Sequence, residues 1–143
     1  MRKKTLAFIE IALIIIFIFI LLLFSLWLLE QGKIRANDAK KIADVKEIQS
    51  ALALYFHENN DYPDILESNN ALQSRTTIYL DIVPEAPISK GECASFGYNY
   101  QRNIEQEGNP SYTLEYCLSQ ASADIPAGIN TATPAGLSLR KID

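Results

Sequence analysis

The sequence has few of the residues that catalysis and metal binding require. Its 143 residues include one histidine, His57, and two cysteines, with no CxxC pair and no glycine-rich phosphate loop. The residues needed to build a catalytic triad or a histidine metal site are therefore missing. We expect no enzymatic activity, no cofactor and no bound metal.

Positive charge is also scarce beyond the first few residues. From Glu30 to Asp143 the chain has 16 acidic and 10 basic residues, a net charge of about −6. Nucleic acid carries the same sign of charge, so we do not expect it as a partner.

What the sequence does have is a long apolar run. Between Leu6 and Leu29 the only polar residues are Glu10 and Ser25. About 20 apolar residues suffice for a helix to cross a bilayer core. Basic residues precede the run, as in a secretory signal, but the run exceeds a signal core of about 7–15 residues and no small-residue cleavage site follows it. We predict a transmembrane helix over residues 6–29 that stays on the protein.

Charge does not orient this helix, because three bases precede it and four follow it closely. The cysteines do. Cys93 and Cys117 both lie in the polar part, and a matched pair in a small domain indicates one disulfide in an oxidising compartment. We expect a single-pass protein of the cytoplasmic membrane, with its N-terminus inside and its polar domain outside. The alternative is a cytoplasmic domain with two free, buried cysteines.

Glu10 needs a partner, because a carboxylate at the bilayer centre costs about 2.5–3.5 kcal/mol. One candidate is Lys3 or Lys4, on nearly the same helix face and able to extend toward the interface. The other is a positive group of a neighbouring subunit, such as its N-terminal amine. Both interpretations stay open on electrostatics alone.

After the run the sequence is typical of an amphipathic helix. Five apolar side chains fall on one face and should contact the rest of the domain: Ile42, Val45, Ile48, Leu52 and Phe56. Four polar side chains point elsewhere: Asp44, Lys46, Glu47 and Ser50. One helix should run from about Leu6 to about Asn59, with Gly32 as its weak point. The segment Asn59-Asn60-Asp61-Tyr62-Pro63 should end it, because Asn tolerates a left-handed cap and proline disfavours helix before it.

The remaining sequence predicts a small sheet. Residues 64–75 form a short helix or a loop, and 79–83 a short strand. Residues 96–100 and 112–116 alternate and flank a polar turn, so they should pair as a hairpin whose opposed residue numbers sum to about 211. That register places Cys93 beside Cys117. The last 23 residues should be extended, with one edge strand and a tail. Two groups of acids fit either solvated loop carboxylates or a calcium site: Asp61, Asp64 and Glu67, and Glu105 and Glu107.

The predicted fold is α+β: a long N-terminal helix, spanning a membrane with its first half and amphipathic in its second, packs on a small antiparallel sheet. The predicted segments are a basic one (1–5), the membrane helix (6–29), the amphipathic extension with its turn (30–63) and the globular part with its C-terminal tail (64–143).

The chain resembles the bacterial type IV pilins and type II secretion pseudopilins, especially the major-pseudopilin type, over about residues 6–118. The resemblance rests on the start of the apolar helix, a helical segment and the following turn and sheet entry: Phe8-Ile9-Glu10, Ala36 to Leu52, Tyr55, Asn60-Asp61-Tyr62-Pro63, Tyr79-Leu80, Pro84, Pro87 and Tyr98-Asn99-Tyr100. It implies a pilin-like fold in a structural subunit of a filament. It also implies that Glu10 meets the N-terminal amine of an adjoining subunit.

The resemblance further implies processing by prepilin peptidase between Thr5 and Leu6, and contact with related subunits and an assembly platform. Thr5 departs from the family, in which glycine nearly always precedes the cleaved bond. The helix also lacks the glycine and proline that loosen it in many pilins. A second function therefore stays open, a bitopic membrane protein that keeps its N-terminus and presents a pilin-fold interaction domain without polymerising.

Overall fold

The computed structural model of the chain describes residues 2–89, 91–104, 108–122 and 124–138, and, within these ranges, the side chains from 9 to 137. The chain divides into two units, Met1–Ile34 and Arg35–Asp143. We call the second unit the head.

The first element is a single helix of 58 residues, α1 (Arg2–Asn59). It begins before the expected Leu6 and ends at the expected residue. Asn60 takes the left-handed conformation with φ of 53°, and its amide donates to the Phe56 carbonyl at 2.8 Å. Within the described residues α1 is the one helix long and apolar enough to cross a membrane. The coarse prediction of a membrane-span candidate is confirmed.

In the described residues of the head there are two antiparallel sheets. The smaller pairs β1 (Leu72–Gln73) with β2 (Ile78–Leu80). The larger has four strands in the order β3-β4-β5-β6, so each strand pairs with its neighbour in sequence. Their bounds are β3 (Asn99–Ile104), β4 (Pro110–Leu118), β5 (Gly128–Thr133) and β6 (Gly136–Ser138).

One hydrophobic core joins the head portion of α1 to both sheets. The central strand β4 alternates so that Tyr112, Leu114, Tyr116 and Leu118 are at most 2% exposed. These side chains cluster with the apolar face of α1 and with residues of both sheets. The α+β arrangement of a long N-terminal helix packed against small antiparallel sheets is confirmed.

The register of the predicted hairpin is wrong. Asn99 pairs with Glu115 and Ile104 with Pro110, so opposed residue numbers sum to 214 rather than 211. The strand β3 starts later than expected and continues through polar residues that the sequence assigns to the turn. A strand at the edge of a sheet tolerates such residues, because one edge and one face meet water.

The C-terminal stretch holds two strands, where the sequence predicts one at an edge. β5 is internal to the sheet, between β4 and β6. A turn at Pro134-Ala135 leads into Gly136, whose φ of 128° lies outside the usual range of residues with side chains. The expected tail from residue 139 lies outside the described residues. Residues 64–75 contain no helix, and their second half supplies β1.

Candidate anchoring and assembly site

The apolar part of α1 is exposed on every side. Its large side chains from Ile9 to Leu29 are 50–69% exposed, and none of its membrane-candidate window is buried. A helix that is apolar all round is stable only when lipid or other helices cover it. This surface can therefore anchor the chain in a membrane, pack with similar helices, or do both.

Glu10 is the exposed carboxylate near the start of this surface. The described residues do not decide between its two candidate partners, because the side chains of Lys3 and Lys4 lie outside them. The side chains of Thr5 and Leu6, at the candidate processing site, also lie outside; the backbone of both residues is within α1.

The residues expected to join helix and head lie in the core. Val45, Ile48 and Leu52 are fully buried. Phe56, near the helix end, is partly buried and stacks on Tyr62 with ring centroids 4.8 Å apart. Each such side chain contributes about 1.5–3 kcal/mol of transfer free energy when fully buried.

A row of polar residues continues this face toward the start of the head. We call Asp38, Lys41 and Asp44 the polar stripe; all three are at most 7% exposed. The Asp38 carboxylate accepts hydrogen bonds from the amides of Ser119, at 3.0 Å, and Gln120, at 2.8 Å. It thereby supplies acceptors for the backbone just after β4 ends.

The Lys41 ammonium links the helix to two other segments. It donates to the Ser89 hydroxyl at 2.6 Å and to the Cys117 carbonyl at 2.7 Å. Burial lowers the pKa of this amine, and the nearby Asp38 carboxylate opposes that shift. The buried charge is thus partly compensated and hydrogen-bonded, as a buried ion must be.

The stripe also holds the loop between the two sheets. Tyr98 donates its hydroxyl proton to the Asp44 carboxylate at 2.8 Å, and burial followed by this contact raises the pKa of the phenol. The residue just before the stripe, Asn37, donates from its side-chain amide to the Ile88 carbonyl at 2.9 Å. Ile88, Ser89 and Tyr98 of this loop therefore contact side chains of α1.

Sequence reasoning missed the polar stripe, and the expectation that Asp44 points away from the core is wrong. A signal was available. Asp38 and Lys41 precede Val45 and Ile48 by seven residues each, which is nearly two full helical turns, so they fall on the core face. Their charge concealed this, because buried acids and lysines are rare unless paired.

Cys93 and Cys117 form a disulfide with Cα atoms 5.5 Å apart, which confirms that prediction. Both residues are at most 3% exposed. The reasoning from hairpin register was wrong, because Cys93 lies in a short 3-10 helix, Gly91–Cys93, and not opposite Cys117 in the sheet. The disulfide therefore ties the loop that the polar stripe holds to the central strand.

The first acidic group faces a cation of the protein itself. Arg102 on β3 donates to both carboxylate oxygens of Asp61, with Nε to Oδ1 at 3.0 Å, and to Asp64 at 2.9 Å. The hydrogen bonds from Arg102 hold the pKa of Asp61 below its usual value. Glu67 accepts instead from the Asn70 amide. Over the described ranges no three His, Cys, Asp or Glu residues could hold a metal ion. Glu105 and Glu107 lie outside those ranges.

Comparisons with protein-family models, with curated proteins and with solved structures find no match to this chain.

Proposed function

We propose that this chain is a structural subunit of a type IV pilus or a type II secretion pseudopilus. The observation that supports this most is that the two halves of α1 differ in their burial. Its apolar run is exposed on every side, whereas Val45, Ile48 and Leu52 of the same helix are buried in the core of the head. Such a helix can carry a folded domain on a bundle of apolar helices, first in the membrane and then in a filament.

The resemblance to pilins favours assembly over simple anchoring as the role of Glu10. A carboxylate within an apolar run lowers the stability of an isolated membrane helix, so Glu10 needs a positive partner. A positive group on an adjoining subunit would supply one. In this proposal the other partners are related subunits, the assembly platform and prepilin peptidase.

The head has the properties of a domain that works outside the cytoplasm. Its disulfide is stable in an oxidising compartment and rare in the cytosol. Its negative charge suits a solvated surface. We therefore propose that the N-terminus is inside the cell and the head outside, with the filament at the cell surface.

The direct test is to locate the native protein. Surface filaments sheared from cells are separated from the membrane fraction, and the chain is quantified in each by immunoblot with a cytoplasmic-membrane protein as contamination control. A subunit appears in the sheared fraction as a regular filament by immunogold microscopy. Detection in the membrane alone, under conditions in which filaments form, contradicts the proposal.

A second candidate function has specific support. Thr5 replaces the glycine that the peptidase prefers, and the apolar run from Leu6 to Leu29 lacks the glycine and proline that loosen the helix in many pilins. These features suit a permanently anchored bitopic protein with an extracytoplasmic interaction domain. The intact mass of membrane-extracted protein separates the two candidates: loss of residues 1–5 supports the subunit, and an uncut chain supports the anchor.

A further inference from the structure

A polar cavity of about 470 Å³ opens at the end of the head where α1 enters it. It lies between the first turns of this part of the helix and the segment after β4, and its lining residues are Arg35, Asp38, Ala39, Gln120, Ala121 and Ser122. We propose that this cavity binds the phosphate group of an anionic membrane lipid. The inference rests on the proposed insertion of α1 in a membrane.

The lining chemistry suits a phosphodiester. The exposed Arg35 guanidinium presents several N–H donors in a planar fork that matches two phosphate oxygens. The half-buried Ser122 hydroxyl provides a further donor group on the opposite wall. Both groups leave the anion in contact with water at the mouth of the cavity.

The negative charge of Asp38 does not prevent an anion from binding in the cavity. Its two carboxylate oxygens accept the amides of Ser119 and Gln120, and only 2% of the residue is exposed. The charge of Asp38 is also opposed by the Lys41 ammonium, with which it interacts electrostatically. Arg35 and Lys40 are exposed bases on the helix, and Asp124, two residues after the lining residue Ser122, is an exposed acid.

The position of Arg35 along the chain fits a lipid phosphate. It follows Leu29, the end of the apolar run, by six residues, which is about 9 Å of helix. The headgroup layer extends about 5–8 Å beyond each side of the hydrocarbon core. Long basic side chains near the end of a membrane span extend to the interface, so a base six residues beyond Leu29 in the sequence suits the layer in which phosphates lie.

Trp27, the only tryptophan, gives a direct test in the intact protein. The full chain is reconstituted in phosphatidylcholine vesicles containing 30% phosphatidylglycerol. Bromine is placed on the acyl chains of one lipid at a time, at equal mole fraction, and quenching of Trp27 reports how often that lipid is adjacent. One lipid-facing base contributes about 1 kcal/mol, which raises the local concentration of an anionic lipid about fivefold. We expect brominated phosphatidylglycerol to be enriched near Trp27 to that extent.

Two pairs of variants separate a built cavity from general attraction to a charged surface. Arg35→Gln should abolish the enrichment, whereas Arg75→Gln, at an exposed base in the loop between β1 and β2, should keep it. Ala39→Leu fills the cavity without changing charge and should also abolish it, whereas Ala53→Leu, at another exposed position of α1, should not.

The outcomes are distinct. Equal quenching by the two lipids in the native chain, enrichment that survives Arg35→Gln, or enrichment that survives Ala39→Leu overturns the lipid site. Each leaves membrane insertion intact, because Trp27 is still quenched. Absence of quenching by either lipid overturns the lipid site together with the membrane anchor on which the proposed function depends.

Discussion

The Lys41 ammonium donates a 2.7 Å hydrogen bond to the backbone carbonyl of Cys117, 76 residues further along the chain. The helix that leads from the apolar run is thereby joined, at a buried charge, to the strand residue that carries the disulfide. Ser89, in the loop that contains Cys93, accepts from the same ammonium. One lysine thus contacts the loop and the strand that the disulfide connects.

Lys41→Met should destabilise the head by about 1–3 kcal/mol at pH 7, because the buried Cys117 carbonyl and Ser89 hydroxyl lose their donor. The pKa of Lys41 is lower in the folded state, so the unfolded state binds more protons between that lowered value and the ordinary value of 10.5. Stability of the native head should therefore rise with pH in that window relative to Lys41→Met. Denaturant unfolding of residues 35–143 at several pH values measures the difference; identical curves at all pH values contradict it.

Replacing both Cys93 and Cys117 by serine should lower the stability of the head by about 3 kcal/mol. The disulfide closes a loop with a sequence separation of 24 residues, and release of that loop raises the entropy of the unfolded chain. Circular dichroism melting compares the two proteins. Alkylation with and without reductant is the control, since the folded, unreduced chain should have no reactive thiol.

Leu52→Ala should cost about 2–5 kcal/mol, because Leu52 is fully buried between α1 and the sheets. Leu54→Ala is the matched control on the same helix. Leu54 is 57% exposed, so its truncation should change stability by less than about 0.5 kcal/mol. Equal unfolding free energies for the two variants would show that the core face of α1 is misassigned.

Sequence periodicity was sufficient to predict α1 and its core face, because apolar side chains recur there at helical spacing. The segment from Asn59 to Pro63 was sufficient to predict where the helix ends, since the tolerance of asparagine for positive φ, seen at Asn60, and the effect of proline are local properties. The buried positions of Asp38 and Lys41 depend instead on partners about 80 residues away, such as Ser119 and Cys117. Local pattern contains no information on such partners, so the sequence alone did not place these two residues in the core.

The strand register shows a second limit. The turn residues near Gly108 indicated a hairpin, but the predicted sum of paired residue numbers, 211, is three below the observed sum of 214. The error arose because Gln101 and Asn103 look like turn residues. They are tolerated in β3 because it is an edge strand. The pairing of Arg102 with Asp61 could not be found locally either, since 41 residues separate them.

Arg102→Gln should remove a stabilisation that depends on pH. Arg102 lowers the pKa of Asp61 below its ordinary value of 3.8, so the folded state favours the ionised carboxylate. The stabilisation is complete above pH 4 to 5 and is lost as the pH falls through the lowered pKa. Native and variant heads should therefore differ in stability at pH 7, and the difference should shrink as the pH falls through the lowered pKa of Asp61. Arg75→Gln should show no such convergence, and a pH-independent gap for Arg102→Gln would contradict the ion-pair explanation.

Glu10→Ala separates the two candidate functions. Removal of the carboxylate makes the apolar run easier to insert, so membrane abundance should be unchanged or higher. If Glu10 compensates a positive group on an adjoining subunit, incorporation into filaments should be lost. If Glu10 pairs only with Lys3 or Lys4 of its own chain near the interface, the pair contributes less than about 1 kcal/mol and the substitution should be silent.

The measurement compares the native chain, Glu10→Ala and Glu10→Gln for the amount in sheared filaments divided by the amount in membranes. Glu10→Gln keeps the size of the side chain and removes its charge, so it distinguishes a requirement for charge from one for shape. We expect this ratio to fall at least tenfold for both variants at equal membrane abundance. Neither variant has a negative charge at position 10, so the positive group of the adjoining subunit would be buried without compensation, which costs several kcal/mol. Ser25→Ala, at the other polar position of the run, should keep the native ratio. An unchanged ratio for Glu10→Ala would favour the anchored bitopic protein over the filament subunit.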